Sequence, residues 1–225
     1  MSQVLEEPNG DATAPLTKTG RADRRHMRGQ VSLSRIIDAT IALVAEDGLS
    51  GATIQSVAKR IGSSNSLVIF HFGTKERLFR AVLEFLNEQF ARHWETSVKG
   101  PGMTMPARVL AAIDCARSFM EQHPDWVAAW VLFGLDRQTV TIDRDISLPS
   151  DRAYLEDVRA MIAEIARAGG HKGVDVDSLA EGMNYMVQGA WYWDTINQIN
   201  PPSNAVRKMG LVLLRQAFPR EFEGH

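Results

Sequence analysis

Residues 53–72, TIQSVAKRIGSSNSLVIFHF, decide how this chain is read. In their first half Ile54, Val57, Ala58 and Ile61 fall at i, i+3, i+4 and i+7, which is one apolar face of a helix. Thr53 stands where an N-cap belongs, because its hydroxyl can accept from a backbone N–H that has no intrahelical partner. Gly62 supplies the positive φ at which a helix stops sharply. Ser63 and Ser64 offer the next N-cap, and residues 65–70 then make about two turns. Ala58 is small where the two helices must cross closely. The pattern is that of a helix-turn-helix, whose second helix lies in the major groove of DNA.

The flanks agree with this reading. An amphipathic helix precedes the motif and ends in EDGLSGAT (residues 46–53), and HFGTKERLF (residues 71–79) opens a long helix directly after it. Over residues 35–79 the run resembles the DNA-binding domain of the TetR family of bacterial transcriptional regulators. Arg35, Ile37, Ala39, Gly48, Thr53, Ile54, Val57, Ala58, Gly62, Ser64, Phe72, Lys75, Glu76, Leu78 and Phe79 carry the match. The resemblance implies that Ser64, Asn65, Leu67, Ile69, Phe70 and His71 lie on or near the DNA-facing side, with Val68 and Phe72 turned into the domain core.

Side-chain chemistry supplies the expected roles. Asn65 can make paired hydrogen bonds to adenine, Ser64 or Ser66 can reach a base or a phosphate, and Leu67 can meet a thymine methyl. Ser63 joins them at the start of the second helix, while Thr53 and Lys75 sit at helix N-terminal ends that attract phosphate. One departure stands out. Ile69 occupies the position where the family commonly has a phosphate-contacting Tyr, and Phe70 a neighbouring polar one, so a usual phosphate contact is missing or moved.

Charge is unevenly spread along the 225 residues, although the formal net charge is only −2. Residues 21–80 hold ten Lys/Arg against five Asp/Glu, whereas residues 81–225 hold fourteen against nineteen. A basic N-terminal module with an acidic remainder suits contact with a polyanion at one end. Residues 1–20 contain Pro8, Gly10, Pro15 and Gly20 and few large apolar groups, so a disordered tail is expected. Residues 21–30 follow as a basic arm in which Arg25 and Arg28, with Arg21, Arg24 and His26, can contact phosphates or the minor groove.

Other function classes find little support. Cys115 is the single cysteine, which rules out an intrachain disulfide and fits a reducing cytoplasm. Six dispersed His give no zinc spacing, no stretch reaches the ~18 apolar residues of a membrane span, and no signal-peptide core is present. No cofactor motif or nucleophile–base constellation is visible.

Beyond the motif the periodicity predicts helices at about 33–47, 74–98, 107–122, 125–138, 151–168, 177–197 and 204–218, with residues 139–149 irregular and no strand pattern. The expected fold is all-α: a three-helix helix-turn-helix domain at residues 31–80 after a tail and arm at 1–30, then a helical bundle at 81–225, with nine or ten helices in total. VAAWVLFGLDRQ (residues 127–138) and MVQGAWYW (residues 186–193) are similar, more faintly, to the ligand-binding domain of the subgroup that includes the choline-responsive betaine-synthesis repressor. That resemblance implies a homodimer formed by the last two helices. Met183, Met186, Val187 and Ala190 with Leu211, Leu214 and Ala217 offer apolar faces for it.

All five Trp lie beyond residue 90. Trp126, Trp130 and Phe133 share one helix face, while Trp191 and Trp193 are about 200° apart on theirs. Aromatic faces attract cations, and a quaternary ammonium is a favoured guest of such a cage. Asp136 or Asp194 would balance its charge. The expectation is a cytoplasmic, homodimeric repressor, without cofactor or metal, released from a palindromic double-stranded DNA operator by a small molecule, with no membrane partner. Two alternatives stay open: a dimeric DNA-binding regulator with no effector, and an enzyme built in a helical bundle.

Overall fold

A computed structural model describes the backbone of residues 18–224 and the side chains of residues 31–224. Nine helices and no strand occur among the described residues, in the order α1 (Lys18–Gly51), α2 (Ile54–Arg60), α3 (Asn65–Phe72), α4 (Lys75–Val98), α5 (Met105–Gln122), α6 (Pro124–Leu135), α7 (Val140–Gly169), α8 (Val176–Ile196) and α9 (Ala205–Ala217). The chain divides into two units, residues 1–35 and residues 36–225. In the first, the backbone is helical from Lys18, so the helix expected to begin near residue 33 starts earlier. Of the disordered tail expected at residues 1–20, residues 18–20 are helical and the rest lies outside the described residues, as do the side chains of Arg25 and Arg28.

The second unit begins with a tightly tied group of short helices. Gly48 (φ 72°, ψ 178°) breaks the line of α1. Thr53 then caps α2 in a reciprocal arrangement with Ser56: Thr53 Oγ1 accepts from the Ser56 N–H at 3.0 Å, and Ser56 Oγ accepts from the Thr53 N–H at 2.8 Å. The Ser56 hydroxyl also lies 2.7 Å from the Gly51 carbonyl, to which it can donate. Serine here does the work usually given to Glu or Gln in a capping box. Gly62, at φ 65°, makes the turn into α3. Val57, Ala58, Val68, Phe72, Leu78, Phe79 and Val82 are buried and knit α2, α3 and the first turns of α4 together.

The long α4 runs on into the remaining helices. Thr74 Oγ1 accepts from the Arg77 N–H at 3.3 Å at its start, and Trp94 and Val98 near its end join the core of α5, α7, α8 and α9. Ile113, Ile162, Leu214, Phe218 and Phe222 fill that core. Phe79 on α4 meets Phe133 on α6 edge-to-face with centroids 5.0 Å apart, so the two ends of α4 are packed on different partners.

One expectation is corrected. Residues 139–149, expected to be irregular, are helical from Val140 on: α7 is continuous from Val140 to Gly169 with Pro149 inside it. Proline removes the hydrogen bond to the carbonyl four residues back. That carbonyl belongs to Asp145, and both residues are exposed, so water can take the missing donor's place.

A second correction concerns α8 and α9. Met183 and Leu214, expected on an outward apolar face, are 3% and 0% exposed and belong to the chain's own core. The outward apolar stripe is instead Tyr185, Tyr192, Trp193 and Ile196 on α8 with Met209, Val212 and Leu213 on α9. Each set keeps helical spacing, turned away from the face first assigned.

Candidate nucleic-acid interface and ligand cavity

The turn between α2 and α3 presents a small polar and apolar surface. Thr53, Ser63, Ser64, Asn65 and Ser66 are exposed, as are Ile69 at 51% and Phe70 at 82%. Val68 and Phe72 point inward at 0% and 9%, which anchors α3 against the rest of its group. Leu67 and His71 are half-buried. Leu67 is therefore less available to a groove than its neighbours two and three residues on. Ser64 is the N-cap residue of α3, but its hydroxyl makes no capping bond.

Lys75, expected near phosphate, also has partners within the chain. Its ammonium donates to the Leu49 carbonyl at 2.9 Å and stands 4.9 Å from the centroid of the Phe79 ring. It thus ties the start of α4 to the end of α1, with hydrogen-bond capacity left over, since an ammonium has three donors. Arg60 and Glu46 make a two-bond pair at 2.7 and 2.6 Å, and the hydrogen bond from Arg60 holds the Glu46 carboxyl below its ordinary range.

The second feature is a cavity of about 310 Å³ among α4, α5, α6, α7 and α8. Its walls include the rings of Phe90, Trp94, Trp130, Tyr154, Trp191 and Tyr192 and the carboxyls of Asp143 and Asp151. Trp130 and Trp191 meet edge-to-face at 5.9 Å, and Phe90 lies 5.5 Å from Trp191 and 5.4 Å from Tyr154. The Trp130 indole N–H donates to Asp143 Oδ1 at 3.0 Å, and the Ser147 hydroxyl donates to the same oxygen at 2.9 Å.

The two acids are unequally satisfied. Burial raises the Asp143 carboxyl, and the bonds from Ser147 and Trp130 pull it back. Asp151 is pushed up to about 6, first by burial and then by the charge of Asp143. Its carboxyl has no hydrogen-bond partner among the described residues. Tyr154 is pushed up to about 12 by burial and then by Asp151. A site with aromatic walls, low dielectric and two carboxyls favours a cation.

The structure brings together only part of the expected cage. Trp130 and Trp191 line the cavity. Trp126 packs instead on Phe85 at 5.2 Å and stacks with His123 at 4.0 Å. Phe133 is fully buried against Phe79, and Trp193 is 59% exposed. Asp136 accepts from the Gln138 N–H at 2.8 Å in the turn after α6, and Asp194 is buried and accepts from the Ser203 N–H at 2.7 Å. The facing charge comes from Asp143 and Asp151, which the sequence reading missed. Their signal was available: Asp143, Ser147, Asp151 and Tyr154 fall at i, i+4, i+8 and i+11, a helix face that the expectation of an irregular segment at 139–149 hid.

Among the described residues no group of His, Cys, Asp and Glu is arranged to hold a metal ion, and no helix is long and apolar enough to cross a membrane. Burial pushes the Cys115 thiol up to about 12, far from a reactive thiolate.

Comparison with known proteins agrees with this geometry. Residues 36–82 match the family described as bacterial regulatory proteins, tetR family. The HTH-type transcriptional regulator BetI of Burkholderia thailandensis is 33% identical over 105 residues, which is 45% of this chain and 54% of that protein. The chain thus spans about half the length of that curated relative. A TetR transcription regulator from Haloarcula marismortui superposes with a TM-score of 0.69 at 21% identity, covering 80% of this chain and 95% of that one. A transcriptional regulator from Saccharomonospora viridis in complex with choline gives 0.68 at 15% identity, covering 83% and 96%. Residues 36–82 are thus similar to the DNA-binding part of tetR-family regulatory proteins, and the all-helical architecture of the chain is similar to that of solved TetR-type regulators.

Proposed function

We propose that the chain is a ligand-responsive transcriptional repressor that acts as a homodimer in the cytoplasm. Its DNA-binding domain comprises residues 31–80, preceded by a tail at 1–30 that carries a basic arm at 21–30, and residues 81–225 bind the effector and form the dimer. Each α3 enters a major groove of a palindromic operator and presents Ser64, Asn65, Ile69 and Phe70, with Thr53, Ser63, His71 and Lys75 near the phosphates. The observation that carries the DNA end is the exposure of Asn65, Ile69 and Phe70 on a helix anchored from behind by Val68 and Phe72.

The effector is an organic cation, a quaternary ammonium compound among the candidates, held in the cavity of Phe90, Trp130, Tyr154 and Trp191 beside Asp143 and Asp151. Support comes from the chemistry of that wall and from the choline bound by the Saccharomonospora viridis protein. Dimerisation uses the outward stripe of Tyr185, Tyr192, Trp193 and Ile196 with Met209, Val212 and Leu213, apolar area that a monomer leaves in water. Ligand binding favours one shape of the dimer over another by its differential affinity for the two. Because α4 reaches from the DNA-binding group to the cavity wall at Phe90 and Trp94, a change of its tilt alters the spacing of the two α3 helices.

Selection of bound fragments from genomic DNA, followed by titration of the bound fragment with choline-series cations, tests both halves. Retention of defined fragments and their release by a cation support the reading. Retention without release by any cation across a broad library assigns the chain to regulators without an effector.

A further inference from the structure

The face that α3 offers to DNA is chemically lopsided, and this points to what it reads. No Arg or Lys occurs in α3, and these are the usual readers of guanine through its O6 and N7 acceptors. Exposed on the helix are Asn65, Ser66, Ile69 and Phe70. They form two adjacent rows at i, i+4 spacing, Asn65 with Ile69 and Ser66 with Phe70. In each row a hydrogen-bonding group sits nearer the N-terminus and a bare hydrocarbon nearer the C-terminus. Phe70 is 82% exposed, and its ring lies edge-to-face to the His71 ring with centroids 5.3 Å apart. An aromatic group this open on an otherwise well-packed helix gains nothing from water.

Within a major groove the apolar group on offer is the C5-methyl of thymine. We infer that Ile69 and Phe70 are specificity determinants that read thymine methyls, and that α3 selects an A·T core in each half-site, with Asn65 on an adenine. Four residues of helix rise about 6 Å, close to two base steps of about 3.4 Å. The methyls contacted by each row therefore lie about two base pairs from the polar contact of the same row. This inference rests on the proposal that α3 enters the major groove and goes beyond it by naming the bases.

The test uses the full chain and operators recovered from a random-sequence pool. Uracil is placed for thymine one position at a time, which removes the methyl and leaves every hydrogen-bonding group in place. For the unsubstituted chain we expect dissociation constants to rise about fourfold per contacted methyl, the loss of one buried methyl. In Phe70→Ala and Ile69→Ala chains the corresponding thymine–uracil difference should vanish, even where overall affinity falls. Equal affinity for thymine and uracil operators overturns the inference and leaves the DNA-binding proposal standing, as does a recovered core of G·C pairs. Unchanged DNA affinity in Phe70→Ala with the thymine–uracil difference intact overturns the inference for Phe70. Recovery of no sequence at all overturns the DNA-binding proposal, and the inference falls with it.

Discussion

The two ends of α4 are held by opposite means. At the N-terminal end, short helices are stitched by side chain to backbone bonds: Thr53 with Ser56, Thr74 to Arg77, and Lys75 to the Leu49 carbonyl. At the other end, long helices surround a cavity of about 310 Å³ in which Asp151 finds no partner among the described residues. The first arrangement fixes side chains at set positions before any ligand arrives, which suits reading a regular duplex. The second sets two carboxyls beside aromatic walls, where an organic cation would meet charge and ring faces together. A tied surface at one end and a cavity at the other fit the proposed ligand-operated DNA reader, and Phe79 against Phe133 packs α4 on α6 between them.

Breaking that junction should have the largest effect. Phe133→Ala removes a fully buried ring and is expected to lower stability by about 3–5 kcal/mol. Chemical denaturation followed by tryptophan fluorescence measures it, and a loss below about 1 kcal/mol would show that the rings merely touch.

Asp151→Asn sharpens the contrast from the cavity side. The Asp151 carboxyl titrates near 6 when folded against an ordinary 3.8. Between these values the folded chain therefore holds a proton that the unfolded chain has released. Its stabilising effect is full below about pH 4 and is lost as pH rises through about 6. Replacement by Asn should remove that slope and raise stability at pH 7 by on the order of 2 kcal/mol, while weakening the binding of organic cations. Because Asp143 faces the same cavity, the two acids titrate together, and Asp143→Asn should bring the Asp151 transition to lower pH. Thermal melts from pH 4 to 8 in both variants check the order.

Smaller effects belong to the N-terminal end. Thr53→Ala breaks one reciprocal cap and should cost about 1 kcal/mol, with a larger loss of DNA affinity than of stability. Glu46→Gln should shift the denaturation midpoint least of all, since its pair with Arg60 is exposed to water.

The N-terminal end was the more legible in sequence because its signals are local. Thr53, Gly62 and Thr74 act within a turn of their own position. The structure added Ser56, an unusual partner for a capping box, and the brace made by Lys75. The cavity was less legible because its wall comes from five helices, and the first part of one of them, residues 140–149, was expected to be irregular. Trp126 and Phe133 share a helix face with Trp130, yet α6 lies between α4 and α7, and their rings turn toward Phe85 and Phe79. Periodicity assigns a side chain to a face but does not say which neighbour that face meets.

The central claim is that occupation of the cavity and occupation of DNA oppose one another. Anisotropy of a labelled operator bound to the full chain, titrated with the cation that most raises its melting temperature, tests this directly. The account predicts release of the operator over the same concentrations that saturate the cavity, and loss of that response in Asp151→Asn. An operator that stays bound while the melting temperature shows the cavity to be full would contradict it.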